Sequence, residues 1–219
     1  MLTDVVNPIH SYRFPLGGER WLECEYLKDR DTTGGYKWVF KNGGGMTPDQ
    51  WPVTLAKALQ GLPRFGHHTS RKYSVGKHSL LIARYIRDGR ATLAAQALAL
   101  VHDTPEVLGV GDLNTHLKQA IGHAVRSYED DLVPWIMGQL GIPYTTADEN
   151  VVHAVDKAFG ATEAKLLGMS TGNGWSPLVS QDIADYLIED GVYDLADPDT
   201  YFKWINTFDR IKAELAVQG

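Results

Sequence analysis

A chain of 219 residues, 43% of them hydrophobic, can bury a core of its own and is too apolar for intrinsic disorder. A formal net charge of −6 excludes a non-specific grip on a nucleic-acid backbone, which takes a surplus of Lys and Arg; small anions can still be held by a local cation cluster or a metal. Cys24 is the single cysteine, which excludes an intrachain disulfide and fits a reducing compartment.

The opening MLTDVVNPIHSYRF has no basic stretch followed by an apolar run, so no signal peptide is read there. The longest strongly apolar stretch, residues 94–101, is far too short to span a bilayer. The expectation is a soluble, cytoplasmic protein with neither membrane nor nucleic-acid partner.

Residues 1–46 are rich in Gly and aromatics. Segments 21–27 (WLECEYL) and 36–40 (YKWVF) are strand-like, and the polar, Gly-containing run between them predicts a β-hairpin. Lys41-Asn42-Gly43-Gly44-Gly45 ends that pattern. From residue 47 onward the periodicity is helical. Thr47-Pro48-Asp49-Gln50 predicts a helix start with Thr47 as cap and Pro48 in first position; the helix ends at Leu62-Pro63, because a residue before Pro avoids the α region. A second helix starts near Ser74, with Val75, His78, Ile82 and Ile86 on one face. A third, at 91–101, is apolar nearly all round and should be buried. A fourth spans 115–140, with a bend expected at Pro134. A fifth opens on Thr146-Ala147-Asp148-Glu149, read as a capping box, and runs to about residue 167. Segments 181–188 and 200–217 add two more, the last with Phe202, Ile205, Phe208 and Leu215 inward. There is no internal repeat. The fold class expected is mainly α: a helical bundle over 47–219 with a small N-terminal β-hairpin element at 1–46.

The chemistry begins where the third helix ends, at His102-Asp103. Alone, that dipeptide reads as a helix C-terminus, with His102 near free carbonyls and Asp103 facing water. Three other features change its weight. His78 lies on the apolar face of the preceding helix, where a lone histidine is more often a hydrogen-bonded core residue. Asp156 sits mid-helix beside Val152, Val155 and Phe159, and a core-facing Asp is rare unless paired or coordinating a metal. Glu106 follows His102-Asp103 closely. Two imidazoles and two carboxylates from separate helices are a donor set a divalent cation accepts, and its charge would make the buried carboxylates tolerable.

The order His78 … His102-Asp103 … Asp156 resembles the H…HD…D pattern of the HD superfamily of metal-dependent phosphohydrolases. Arg64-Phe65, Ser74-Val75-Gly76-Lys77-His78-Ser79-Leu80, His102-Asp103-Thr104-Pro105-Glu106-Val107-Leu108 and Gly111-Asp112-Leu113-Asn114-Thr115-His116-Leu117-Lys118 look like the bacterial 5′-deoxynucleotidase branch. The run RFGHHTSRKYSV at 64–75, and the 156–167 stretch with Ala161-Thr162-Glu163-Ala164, look still more like phage-encoded relatives, which include dATP triphosphohydrolases. The resemblance covers about residues 60–170. It implies an HD-domain helical bundle and one divalent metal ion (Mn, Co, Zn or Mg) held by His78, His102, Asp103 and Asp156. It implies catalysis by Glu106, as acid or base at the attacking water, together with Asp103. Arg64 and Phe65 would hold the nucleotide and Asp112 would contact the sugar hydroxyl. Arg71 and Lys118 would reach phosphate, with a solvated loop or helix charge as the competing reading for both. A small-molecule nucleotide substrate and a homo-oligomer, dimer or higher, are expected, in the host cytoplasm if the chain is phage-encoded.

The chain also departs from the pattern. Pro105 falls inside His-Asp-x-x-Glu, so Glu106 need not follow His102 by one regular turn. One residue more than the deoxynucleotidases have separates Glu106 from Asp112, and the N-terminal hairpin has no counterpart there. The leading functional expectation is hydrolysis of the 5′ phosphate ester of a deoxynucleotide. The alternatives are a dNTP triphosphohydrolase releasing triphosphate, a non-catalytic metal-containing nucleotide-binding module and, last, a helical interaction protein without metal.

Overall fold

A computed structural model describes residues 10–17, 19–28, 36–43, 45–111, 123–169, 180–189 and 199–218. Three strands come first: β1 (His10–Gly17), β2 (Arg20–Lys28) and β3 (Tyr36–Gly43). Among the described residues seven α-helices follow: α1 (Gln50–Gly61), α2 (Val75–Asp88), α3 (Leu93–Val101), α4 (His123–Leu140), α5 (Thr146–Leu166), α6 (Gln181–Glu189) and α7 (Thr200–Gln218). No described helix is long and apolar enough to cross a membrane.

The strands form one antiparallel sheet in the order β1-β2-β3. The expected hairpin is β2–β3, in register from Trp21 opposite Gly43 to Lys28 opposite Tyr36. The additional strand β1 was not legible, because Ser11, Arg13 and Pro15 make its outer face polar and broken. Alternation explains how the sheet sits. Leu22, Cys24 and Phe40 point to one side and are buried, while the other side carries exposed cross-strand pairs, Arg13–Glu23 at 3.2 Å and Lys41–Glu25 at 2.8 Å. The inner face packs on α4. Tyr128 meets Trp38, Phe40 and Phe14 at ring separations of 5.2, 5.5 and 6.4 Å, and Trp135 bridges Phe40 to Trp51 of α1. The sheet thus shares one hydrophobic cluster with the helices.

Several helix boundaries differ from the sequence expectation, each for a local reason. α1 starts at Gln50 rather than Pro48. Thr47 and Gln50 still tie the entry together: the Gln50 amide N–H donates to the Thr47 carbonyl, and Gln50 Oε1 accepts the Thr47 N–H, both at 3.0 Å. α3 starts at Leu93 because Thr92 is its cap, accepting the Ala95 N–H at 3.0 Å. The capping box of α5 is Thr145 with Asp148, one residue earlier than Thr146 with Glu149, since Thr145 is the last extended residue (φ −121°, ψ 164°). Pro134 lies inside α4; the expected start of that helix, 115–122, falls outside the described residues. In α7 Phe202 faces out, at 62% exposure. The buried stripe is Thr200, Trp204, Phe208 and Ile211, and a residue two positions from that stripe sits about 200° around the helix. Ile205 and Leu215 are half-buried.

Two boundaries hold as expected and matter for the site. α1 stops before Pro63, with Leu62 extended (φ −87°, ψ 119°). α2 is capped by Ser74, whose Oγ accepts the Lys77 N–H at 3.1 Å. Gly76 then lets α2 press against the end of α1: a Cβ there would stand 2.9 Å from the Gln60 backbone nitrogen. α3 is buried over Ala95–Val101 and packs against α2, α5 and α7, so its C-terminus opens at the middle of the bundle.

Candidate metal centre

Four pieces of chain converge at that point. α2 contributes His78, fully buried within its first turn. The end of α3 contributes His102 and Asp103, half-buried. α5 contributes Asp156 and Glu163, two turns apart on one face, with Phe159 between them. The link from α1 to α2 contributes Arg64 and Phe65. That link is pinned at its base: Pro63 and Ser74 form an antiparallel bridge, the Arg64 N–H donates to Tyr73 at 2.7 Å, and the Val75 N–H donates to Leu62 at 3.0 Å.

Both imidazoles are oriented through Nδ1. His102 Nδ1 donates to the Ala99 carbonyl at 2.8 Å; a carbonyl only accepts, so this nitrogen carries a proton. His78 Nδ1 donates to the Glu163 carboxylate, 2.8 and 3.0 Å from its two oxygens. The Nε2 atoms therefore turn toward each other's neighbourhood, with the rings 5.4 Å apart. His78 Nε2 lies 2.9 Å from Asp156 Oδ1 and 3.5 Å from Asp103 Oδ2. His102 Nε2 lies 3.3 Å from Asp103 Oδ1 and 3.6 Å from Asp156 Oδ1, yet it is buried and makes no hydrogen bond.

Glu163 is the hub behind these residues. Fully buried, it accepts from Tyr73 Oη at 2.6 Å and Arg64 Nε at 3.1 Å as well as from His78. Arg64 spreads its remaining nitrogens over the other acids, 3.2 Å to Asp103 and 3.7 Å to Asp156. The ionisations follow from this mutual contact. Burial and Arg64 both work against a charged His78, but Glu163 and Asp156 outweigh them and push its pKa up to about 9. His102 is raised the same way: burial opposes, and the Asp103 and Asp156 carboxylates prevail. Burial alone would raise the pKa of Asp156 and Glu163. His102 and His78 instead hold Asp156 well below the carboxylate range, and His78, Arg64 and Tyr73 hold Glu163 below it. Burial pushes the Tyr73 hydroxyl far above its ordinary value, and Glu163 pushes it further. Arg64 stays charged: burial opposes it, but Glu163, Asp103, Asp156 and Glu106 all favour it.

Glu106 stands beside this cluster and is buried, at 6% exposure. As the position of Pro105 allowed, Glu106 does not follow His102 in one regular helix: α3 ends at Val101, Pro105 itself keeps helical angles (φ −56°, ψ −32°), the Glu106 N–H donates to the Asp103 carbonyl at 3.0 Å, and the single π turn Glu106–Val110 leaves helical angles at Leu108 and Gly109. Tyr128 of α4 braces this turn by donating to the Leu108 carbonyl at 2.6 Å, which connects the N-terminal sheet to the site.

Phe65 adopts a left-handed backbone (φ 57°, ψ 28°), costly for a bulky residue by about 1–2 kcal/mol, and Gly66 follows it there at φ 55°. The result sets the half-buried Phe65 ring against its neighbour, with the Arg64 guanidinium 5.2 Å from the ring centroid. Arg64, expected to help hold the nucleotide, is 9% exposed and pairs with three carboxylates. Arg71 is exposed on the same link, and Asp112 and Lys118 lie outside the described residues.

The sequence-selected His78, His102, Asp103, Asp156, Glu106, Arg64 and Phe65 are thus brought to one place. Glu163 and Tyr73 were missed. The available clue was the spacing of Glu163 from Asp156, which puts a second acid on the inward face of a helix already presenting one. No family model matches the chain, and no curated protein matches it.

The residues present fit a divalent cation. Ligand atoms of His78, His102 and Asp103 all lie within 4.8 Å of one another, so this cluster could hold a metal ion. His102 Nε2 is buried and faces the Asp103 and Asp156 oxygens at 3.3 and 3.6 Å without a formed hydrogen bond, and tying Nδ1 to a carboxylate or carbonyl is how metal-ligating histidines are oriented.

Proposed function

We propose that this chain is an HD-type, divalent-metal phosphohydrolase acting on deoxynucleotides at the 5′ phosphate ester. One observation carries the reading. Two imidazoles, each tied back through Nδ1, aim Nε2 atoms into a space shared with Asp103 and Asp156. His78, His102, Asp103 and Asp156 would hold one ion. When bound, such an ion supplies a water of lowered pKa and polarises a phosphoryl oxygen.

The other residues have tasks that follow from their positions. Glu163 keeps the Nδ1 proton of His78 in place, which leaves Nε2 as the ligand atom and fixes the ring plane. Glu106 is surplus to the ligand set but buried next to it, where a carboxylate can take the proton of an attacking water or return one to the leaving oxygen. Arg64 is held rigidly at the edge of the cluster by Glu163, and a preorganised guanidinium there disperses charge that builds on a phosphoryl group. Phe65 offers a half-buried ring beside that guanidinium, suited to the face of a base or a sugar. The left-handed strain at Phe65 is spent on that placement.

The test is a panel of deoxynucleoside mono-, di- and triphosphates with the metal-loaded protein, resolving released phosphate from triphosphate. Phosphate from monophosphates is the expected result, and triphosphate release from dNTPs would shift the assignment to a triphosphohydrolase. Release no faster than from the Asp103→Ala variant, on every substrate, would refute a phosphohydrolase.

A further inference from the structure

A second polar site is lined by other residues altogether. The C-terminal end of α2, α6 and α7 enclose a cleft of about 440 Å³, within the range of small-molecule pockets, roughly 300–1,000 Å³. Its lining includes Arg84 and Arg87 from α2 and Lys203 and Arg210 from α7, against a single acid, Asp88, among the described residues. In a chain whose net charge is −6, four cations around one opening are a local inversion of sign. Helical spacing accounts for the arrangement. Arg84 and Arg87 are one turn apart on α2, Lys203 and Arg210 two turns apart on α7, so two like-charged pairs face one space.

Among the described residues, the internal neutralisation of the three arginines is thin. Among the described residues Arg87 pairs with its own neighbour Asp88, both about half exposed at 45% and 55%, where an ion pair contributes little. Arg210 pairs with Glu214 in the next turn, itself 47% exposed, and donates to Gln96 at 2.7 Å, which fixes its guanidinium without neutralising it. Arg84 is half-buried, and no acid pairs with it among the described residues. Tyr186 of α6 adds an aromatic wall and is packed behind by Tyr85, ring to ring at 5.1 Å. No residue of this lining belongs to the His78–His102–Asp103 cluster.

We propose that this cleft is a binding site for a di- or triphosphate group, carried by a nucleotide or by inorganic polyphosphate, separate from the candidate metal centre. An anion of several charges relieves the repulsion between the facing cation pairs, and Arg forks suit phosphate oxygens. The site stands whether or not the cluster hydrolyses nucleotides.

The experiment is calorimetric titration of EDTA-dialysed full-length protein with tripolyphosphate and, separately, with dATP. It is repeated for the Arg84→Ser/Lys203→Ser double variant and for the exposed control Lys165→Ser, with circular dichroism to confirm folding. Parent protein should bind tripolyphosphate, more weakly as salt is raised, and the double variant should lose at least tenfold while Lys165→Ser stays within twofold. Tighter binding of dATP than of tripolyphosphate assigns a nucleotide; equal binding assigns the inorganic anion, and both uphold the site. No binding of either ligand by the parent, a double variant within twofold of it, or an equal loss in Lys165→Ser would overturn the proposal. If the double variant unfolds, charge-preserving Arg84→Lys replaces it: a drop of severalfold is expected from the lost fork, and unchanged affinity for both ligands would overturn the proposal.

Discussion

Replacing Glu163 by Gln changes almost no volume and removes one charge at the point where three donors meet. The parental carboxylate, fully buried, accepts from Tyr73 Oη, His78 Nδ1 and Arg64 Nε at 2.6–3.1 Å. An amide has one acceptor oxygen and one NH₂, so the NH₂ must either oppose one of those donors or oblige the Tyr73 hydroxyl to turn and accept, and the negative charge facing Arg64 and His78 is lost in both cases. Each hydrogen bond to a charged group is worth about 1.5–3 kcal/mol, and removing one partner of a buried ion pair costs about 3–5 kcal/mol. The metal-free variant should therefore lose about 3–5 kcal/mol, a large part of a typical total of about 5–15 kcal/mol. Tyr73→Phe is the control: it deletes one neutral donor and leaves the carboxylate with both cations, so about 1 kcal/mol is expected. Urea unfolding followed by circular dichroism measures both. The Gln variant should also bind a divalent ion about 10–100-fold more weakly, because nothing then holds the Nδ1 proton and ring plane of His78 as firmly; competition against a chelator of known affinity reads this. A Gln variant within about 0.5 kcal/mol of the parent, the range of ordinary surface substitutions, would refute the reasoning, as would metal affinity within twofold of the parent.

Glu106→Gln should keep its metal, by elemental analysis, while turnover on the best substrate falls on the order of 10²–10⁴-fold; loss of metal instead would make Glu106 a ligand. Gly76→Ala should cost about 1–3 kcal/mol in urea unfolding, since its Cβ would meet the backbone of Leu59 and Gln60 at 3.0 and 2.9 Å, whereas Gly61→Ala meets nothing within 4 Å and should gain up to about 1 kcal/mol of helix propensity. Asp148→Ala removes the carboxylate that accepts from Thr145 and Thr92 and should cost about 1–2 kcal/mol at neutral pH. The pKa of Asp148 is lowered in the fold: burial opposes, but the hydrogen bonds from Thr92 and Thr145 prevail. Its contribution is present above the ordinary carboxylate pKa and lost as pH falls through the depressed one, so the gap between parent and variant should close in acid.

The helical bundle was legible because its boundaries are written in local chemistry. Ser74 caps α2 and Pro63 stops α1, and neither depends on distant contacts. The polar cluster was legible for a related reason: His78, Asp156 and His102-Asp103 interrupt apolar helix faces, and a polar residue at an inward position announces itself. What escaped depended on pairing in space. β1 carries no apolar alternation strong enough to mark it, and exists because β2 offers an edge beside α4. Phe202 was taken for core on its chemistry alone, although the stripe through Trp204, Phe208 and Ile211 leaves it outside. Glu163 looked like an ordinary helical acid in Thr162-Glu163-Ala164, since its three donors come from two other segments of the chain. For Arg64 the link sequence points to the cluster, but its acid partners were not legible: only the assembled fold brings Glu163, Asp103 and Asp156 within reach of one guanidinium.

The central claim, that His78, His102, Asp103 and Asp156 form a metal centre, is tested most directly by elemental analysis of parent and Asp103→Ala protein loaded with a divalent ion and then desalted. The account predicts one ion per chain in the parent and loss of nearly all of it in the variant, with helix content retained. Equal metal in the two proteins would contradict it.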